Sequence, residues 1–376
     1  MKKNNTCPKS SKRKKTGRKT RSKTRKESFT IGMDLGDKTS HYYVTDCDGE
    51  MVRESTVATT KKGMQQRFSC LPRCRIAIEV GTHSPWVSRL LSSLGHEVIV
   101  ANARQVKLIS ASTRKSDRLD AQTLARLARL DPELLRPIRH RSEKAQGDLM
   151  QVRVRAALVD TRTGLVNTAR GMAKAMGERL PACDADQMGV EKMQGLPAML
   201  VEALRPLLET VEVLTKQIKA SDQKLEQLAG SDYPETELLR QVSGVGSLIS
   251  LTFVLTVEDP SRFRKSRDVG SYVGLRPRRS ESGESRPQLG ISKEGDVYLR
   301  KLLVQGAHCI LSHKSPDTDL KRWGLKLAGK GNKNAKKRAL VAVARKLAIL
   351  LHHLWVNGEV YEPLRNSKPL EAKAAA

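Results

Sequence analysis

The chain has 376 residues, enough for two or three domains, and its 38% hydrophobic content supports a real core. The formal charge is +29, and only 3% of residues are aromatic. Residues 1–26 hold 13 Lys or Arg and no acid, so about +16 remains on the rest by subtraction, and the basicity is not confined to a tail. A basic folded body implies a polyanionic partner, of which nucleic acid is the common case. No run of eighteen apolar residues is present, which argues against a membrane span. No apolar stretch follows the N-terminal charges, as a secretory signal would require. Six cysteines (Cys7, Cys47, Cys70, Cys74, Cys183, Cys309) are scattered without a second pair at zinc-ligand spacing, and read as reduced thiols. A cytoplasmic, nucleic-acid-associated protein is the expectation.

Residues 1–27 are too polar to bury surface that would offset chain entropy, and read as a disordered basic arm. Such an arm contacts phosphates, or serves only to solubilise. Residues 29–36, FTIGMDLG, read as a first strand ending in Asp34. Asp is a poor strand former, so something requires a carboxylate there. Residues 41–45 and 50–58 read as a hairpin, with Asp48-Gly49 as a two-residue turn. After a helix over 60–71, residues 75–80 repeat the opening pattern: a short apolar strand, Glu79 near its end, and then Gly81. A helix over 85–94, Pro at its start and Gly95 after it, leads to a strand over 97–103. Alternation of this kind implies a mixed α/β sheet, with sites at the carboxyl ends of its strands.

KSDRLDA, residues 115–121, opens a helix over 121–130 and places Asp117 and Asp120 on one face. Asp117 alone reads equally well as an N-cap. Asp34, Glu79, Asp117 and Asp120, if clustered, would repel one another unless cations lay between them. Hard oxygen ligands suit Mg²⁺ or Mn²⁺, and two such ions can stabilise both oxygens of a phosphodiester displacement. A strand bearing a carboxylate, then a hairpin, resembles the start of RNase H and RuvC-type nucleases.

Residues 153–180 and 199–228 are long helical patterns separated by a loop over 181–197. Leu207, Val211, Leu214, Ile218 and Leu225 form the seam of a coiled coil or helical hairpin, with a dimerisation or spacer role or an internal packing role. Within residues 238–253, Gly244 and Gly246 resemble the turn of a helix-hairpin-helix, where backbone N–H groups meet a phosphate, or else a tight interhelical turn. Residues 274–283 form an Arg-dense loop carrying Arg276, Arg278, Arg279 and Ser282, followed by Arg286, Lys293, Arg300 and Lys301. Several guanidinium groups around a phosphate could polarise it for attack by a serine. From spacing alone Ser282 reads first as a loop hydrogen-bonder. Residues 321–346 carry ten Lys or Arg and no acid, Lys336, Lys337 and Arg338 among them, and should offer one face to phosphates.

The motifs IGMDLG, AIEVG, KSDRLDA, GVG, YVGLRP and SGESRPQLGISKEGDVYLRKLL resemble, in order and spacing, one family over residues 29–350. These are the DEDD-type insertion-sequence transposases guided by a bridge RNA, with the related pilin-inversion invertases. The resemblance implies a RuvC-like α/β domain over 28–137 and a helical coiled-coil region over 138–230. A mainly α transposase domain follows over 236–356, and a tail over 357–376. It implies that Asp34, Glu79, Asp117 and Asp120 are the acidic residues and Ser282 the nucleophile. It further implies a prokaryotic recombinase acting on DNA with a noncoding RNA as guide, in a homo-oligomer built from dimers towards a tetramer. Glu281 and the basic arm depart from the family pattern. A metal-only junction-resolving nuclease and a non-catalytic nucleic-acid-binding protein are the alternatives.

Overall fold

The computed structural model describes residues 29–102, 116–285, 287, 289–329, 331 and 333–366. The basic arm, the tail beyond Asn366 and Arg286 lie outside the described residues. The chain divides into two compact units, Met1–His140 and Arg141–Ala376.

Strands β1 (Thr30–Asp34), β2 (Thr39–Thr45), β3 (Met51–Ala58), β4 (Arg75–Glu79) and β5 (Glu97–Ala101) form one sheet in the order β3-β2-β1-β4-β5. β1, β2 and β3 pair antiparallel, whereas β1, β4 and β5 run parallel. Parallel neighbours need a crossover, and α2 (Ser84–Ser93) supplies it between β4 and β5. The parallel strands read as apolar runs because both faces are covered. Ile31, Met33, Ile76 and Ile78 on one face are fully buried with Phe68 of α1 (Lys61–Phe68) and Leu91 of α2. Each such side chain contributes about 1.5–3 kcal/mol of transfer free energy. On the other face α3 (Asp117–Leu130) lies across β1, β2 and β4, with Leu124 and Ala128 buried over Ala77.

The hairpin turn differs from the expected two-residue form. Gly49 has φ +91°, but Asp48 does not share the positive φ. Asp46 N–H donates to Glu50 O (3.1 Å) and Gly49 N–H to Asp46 O (3.2 Å), so the loop has three residues and ends on a left-handed glycine. The Asp46 carboxylate accepts from the N–H groups of Asp48 and Glu50 (both 2.9 Å), which selects this wider turn.

In the second unit, α4 (Glu143–Ala175) and α5 (Ala198–Asp232) form an antiparallel hairpin, held by Arg155 to Asp222 (2.8 Å) and Arg162 to Thr215 (3.2 Å). The helices expected as a region of their own belong to this unit. Val211, Leu214, Ile218 and Leu225 of the expected seam are buried by the chain's own residues. The rest of the unit is α6 (Glu235–Arg240), α7 (Ser247–Val257), α8 (Arg267–Tyr272), α9 (Val297–Leu311), α10 (Asp319–Ala328) and α11 (Lys333–Asn357). Their core gathers Phe253, Leu303, Leu347 and Leu351, all fully buried. Residues 334–357 of α11 are long and apolar enough to cross a membrane. Ala339, Val343, Leu347 and Leu351 place one face of this helix inside the core of the unit. The basic stretch over 321–346 is carried by α10 and α11.

Candidate active site

The first unit brings four carboxylates to one end of the sheet. β1 delivers Asp34 and the parallel β4 delivers Glu79, one position beyond the Met33–Ile78 register pair. α3 supplies Asp117 and Asp120 from its first turn. Ser116, not Asp117, occupies the cap position, and it makes no side-chain cap hydrogen bond. Asp117 is therefore free of capping duty, which corrects the N-cap reading.

Gly32 explains how a helix reaches so close to a strand. A Cβ on Gly32 would lie 2.0 Å from Ala121 O and 2.3 Å from Ala125 N. No side chain fits between β1 and α3, so the helix rests on the strand backbone. Small residues, Ala121 and Ala125, complete the approach and pack on Tyr43 of β2. Gln122 Nε2 donates to the Tyr43 hydroxyl (3.2 Å), which fixes rotation of the helix.

Electrostatics report the clustering. Asp34 is pushed up to about 6 from an ordinary 3.8, first by burial, then by the charges of Asp117, Asp120 and Glu79, against a lowering by His41. His41 sits opposite Asp34 on β2, with Nε2 3.9 Å from an Asp117 oxygen. Composition gave no sign of His41; its signal lies in the strand register, seven positions after Asp34. A second pair ties the loops that leave β1 and β4. Trp86 Nε1 donates to His83 Nδ1 (3.1 Å), which leaves Nε2 of a neutral ring as the donor to Asp37 (3.4 Å).

The four acids are hard oxygen donors under mutual repulsion, the situation a divalent cation relieves. They fit such an ion in donor type, and β1, β4 and α3 bring them to one end of the sheet. Among the described residues no three of them converge into a ready ligand set, and Asp117 is 70% exposed. Charge pressure on Asp34 thus persists until a cation or a proton answers it.

Ser282 belongs to the second unit. Residues 274–293 leave α8 and return to α9 as a ladder-like excursion, with Arg278 N–H to Gly290 O (2.9 Å) and Ser292 N–H to Arg276 O (2.8 Å). Its tip is Ser282-Gly283-Glu284-Ser285, closed by reciprocal Ser282 and Ser285 backbone bonds, with Gly283 at φ +55°. Ser282 is exposed, and no hydrogen bond reaches its hydroxyl from the described residues. Arg276, Arg278, Arg279 and Lys293 are exposed along the same excursion.

Two expected phosphate contacts have other work. Gly244 (φ +84°) faces α9: an added Cβ would sit 2.9 Å from Gly306 O and 3.1 Å from Cys309 Cβ. It serves close helix packing, so the interhelical-turn reading holds for it. Gly246 instead precedes α7 with open space where a Cβ would stand. Arg300 Nη1 donates to Val273 O (3.0 Å) and Glu294 O (2.8 Å), closing the stem of the Ser282 excursion. Lys336, Lys337 and Arg338 are exposed on the first turns of α11.

Sequence comparison finds two matches in order, the first running from the first unit on into α4. Residues 31–177 match a model of the DEDD transposases of insertion sequence IS110, and residues 236–321 match the "Transposase IS116/IS110/IS902 family". The chain is 29% identical over 314 residues to the "Transposase for insertion sequence element IS1111A" of Coxiella burnetii, covering 82% of this chain and 81% of the relative. It is 27% identical over 341 residues to a "Probable family 20 transposase" of Pseudomonas aeruginosa, covering 89% and 98%. A "Pilin gene-inverting protein" of Moraxella lacunata is 26% identical over 137 residues, 36% of this chain and 38% of the relative. The DEDD domain type implies an RNase H/RuvC-like fold, as the strand order fits, and uses divalent metal ions. With one end of the sheet acidic and both family domains matched in order, the chain belongs to the IS110/IS116 family of transposases, enzymes that cleave and transfer DNA.

Proposed function

We propose that this transposase cuts and rejoins the DNA of its own mobile element through Ser282, with Asp34, Glu79, Asp117 and Asp120 holding Mg²⁺ or Mn²⁺. The observation that carries the reading is the placement of Ser282, at the exposed tip of an Arg-lined excursion with no partner on its hydroxyl. A serine without a neighbouring base needs a strongly polarised target. Arg276, Arg278 and Arg279 supply charge that a phosphate attracts and that strengthens as the pentavalent centre forms. Ser282 Oγ bonds to phosphorus while one P–O ester breaks, and the departing strand end takes up a proton as the serine gives one to solvent. The reverse step reseals the strand, so no nucleotide triphosphate is needed. A divalent cation among the carboxylates supplies charge neutralisation for the phosphate oxygens.

Sequence choice by a structured noncoding RNA belongs to the same reading. The basic protein holds backbone and shape while base pairing selects sites. A homo-oligomer, dimers assembling towards a tetramer, is part of it and is tested by light scattering. The carboxylate cluster also supports a second reading, metal-only cleavage without the serine.

Wild type, Ser282→Ala and Asp117→Ala are incubated with labelled target DNA, guide RNA and Mg²⁺, then resolved on denaturing gels. The serine reading expects a covalent protein–DNA band in wild type that disappears in Ser282→Ala. Cleavage that survives in Ser282→Ala and is lost in Asp117→Ala would leave the metal-only nuclease.

A further inference from the structure

The other end of the sheet, where the parallel strands begin, holds an open cleft of about 470 Å³. Thr30 opens β1 there, Arg73 and Arg75 lead into β4, Glu97 opens β5, and Arg129 reaches in from the last turn of α3. Three guanidinium groups face one carboxylate, so the lining carries a net +2.

The arginines are not equivalent. Arg75 is already occupied: its Nε donates to Glu97 (2.9 Å) and its Nη1 to Ala128 O (3.1 Å). Arg73 is exposed and has no ion pair or hydrogen bond among the described residues. Arg129 lies flat on the hairpin turn. A Cβ on Gly49 would come within 2.7 Å of its Nη2, so the guanidinium packs directly against the turn glycine. Nη1 makes one long bond to Cys47 O (3.4 Å), and Nε is shielded from solvent without an acceptor. Nη2, by contrast, is not shielded and makes no hydrogen bond among the described residues. The most economical partner is an oxyanion with several acceptor oxygens, which accepts from two guanidinium groups at once.

We propose that Arg73 and Arg129, with Arg75 behind them, form a phosphate-binding site for a nucleic-acid backbone. The ligand class is the phosphodiester, from duplex DNA or from RNA. The five residues of β1 separate this cleft from the carboxylates by roughly 15 Å at strand rise. The phosphate held here is therefore not the one being cut. It lies elsewhere on the bound nucleic acid, and the site anchors that molecule to the first unit.

The test uses the full chain without divalent metal, so no strand is cut and the outcome is independent of the serine and carboxylate readings. Binding of a duplex DNA probe and a structured RNA probe is measured across a salt series. The variants are Arg73→Ala/Arg129→Ala, the exposed single Arg73→Glu, and Lys61→Ala/Lys62→Ala as an equal charge loss on α1. Two lost phosphate contacts should lower the magnitude of the log–log salt slope by about 1.8 on duplex or about 1.4 on single strands. Affinity should fall about tenfold beyond the lysine control. Loss on one probe only assigns the site to that nucleic acid. Because Arg73 is exposed, Arg73→Glu reports on binding even if removal of Arg129 loosens the hairpin. The exposed Cys47 gives a second readout: bound nucleic acid should slow its alkylation while the exposed Cys70 stays reactive. Slopes and affinities equal to the lysine control on both probes, with Cys47 unprotected, would overturn the proposal.

Discussion

Gly32→Ala is the most informative single change in the first unit. The added methyl would stand 2.0 Å from Ala121 O and 2.3 Å from Ala125 N, where ordinary contact begins at 3.4 Å, so α3 must retreat by about 1.4 Å. The obstacle is helix backbone, which has no rotamer to give. Overpacking of this kind costs about 1–3 kcal/mol, and a retreat separates Ala121, Ala125 and Leu124 from their burial on the sheet. The first turn of α3 moves with the rest, carrying Asp117 and Asp120 away from Asp34. A misplacement near 1 Å can cost about 100-fold in rate. Gly32→Ala should therefore lower the thermal midpoint and reduce strand cleavage about 100-fold with DNA affinity unchanged. Asp34, relieved of two of its three acidic neighbours, should also titrate lower than about 6. These are read by circular dichroism melting, gel-based cleavage and carboxyl-carbon NMR. Full activity with an unshifted Asp34 would refute the view that backbone contact sets the acidic cluster.

Three further outcomes follow from the same contacts. Asp34 binds its proton more tightly folded than unfolded, so metal-free stability should be full near pH 4 and fall as pH rises through about 6. Asp34→Asn should flatten that slope in a pH series of melts, and Mg²⁺ should raise the midpoint more at pH 8 than at pH 5. Gly244→Ala, strained at φ +84° and blocked by Gly306 O, should destabilise the second unit by about 1–3 kcal/mol, while Gly246→Ala should change the melt little. Arg300→Ala should cost about 1–3 kcal/mol by leaving the Val273 and Glu294 carbonyls short of a donor, and Arg300→Lys should not restore both bonds.

The strands and most helix starts of the first unit are legible in the sequence because each is a local pattern. Short apolar runs give β1, β4 and β5, Pro85 and Gly95 bracket α2, and the Asp pair marks α3. The acids at two strand ends are legible for the same reason: a carboxylate closing an apolar run conflicts with strand propensity. The hairpin turn is not, because the choice between a two- and a three-residue loop rests on the Asp46 side chain binding its own backbone. His41 is hidden because only cross-strand register places it beside Asp34. The packing of Gly244 on α9 is hidden because a glycine that admits a phosphate and one that admits a helix look identical in sequence.

Both groups of candidate catalytic residues are positioned by the same device, close backbone approach at glycine. In the first unit Gly32 seats α3. In the second, the stem of the Ser282 excursion is closed where a Cβ on Gly295 would lie 1.9 Å from Tyr272 O and one on Gly274 2.1 Å from Glu294 O. Gly274 and Gly295 also hold φ of +72° and +73°, conformations other residues adopt only under strain. Arg300 then bridges the two sides of that stem. Beyond it the tip, Ser282 to Ser285, is exposed. A serine carried on a clamped stem with an open tip keeps its direction yet leaves its hydroxyl accessible to a large substrate. The proposed serine mechanism requires both, because Ser282 would have to meet a backbone phosphate and later release it. Gly295→Ala is thus expected to abolish the covalent intermediate while duplex binding, read by anisotropy, persists. Loss of binding in step with loss of the intermediate would show that the stem serves overall folding instead of aiming the serine.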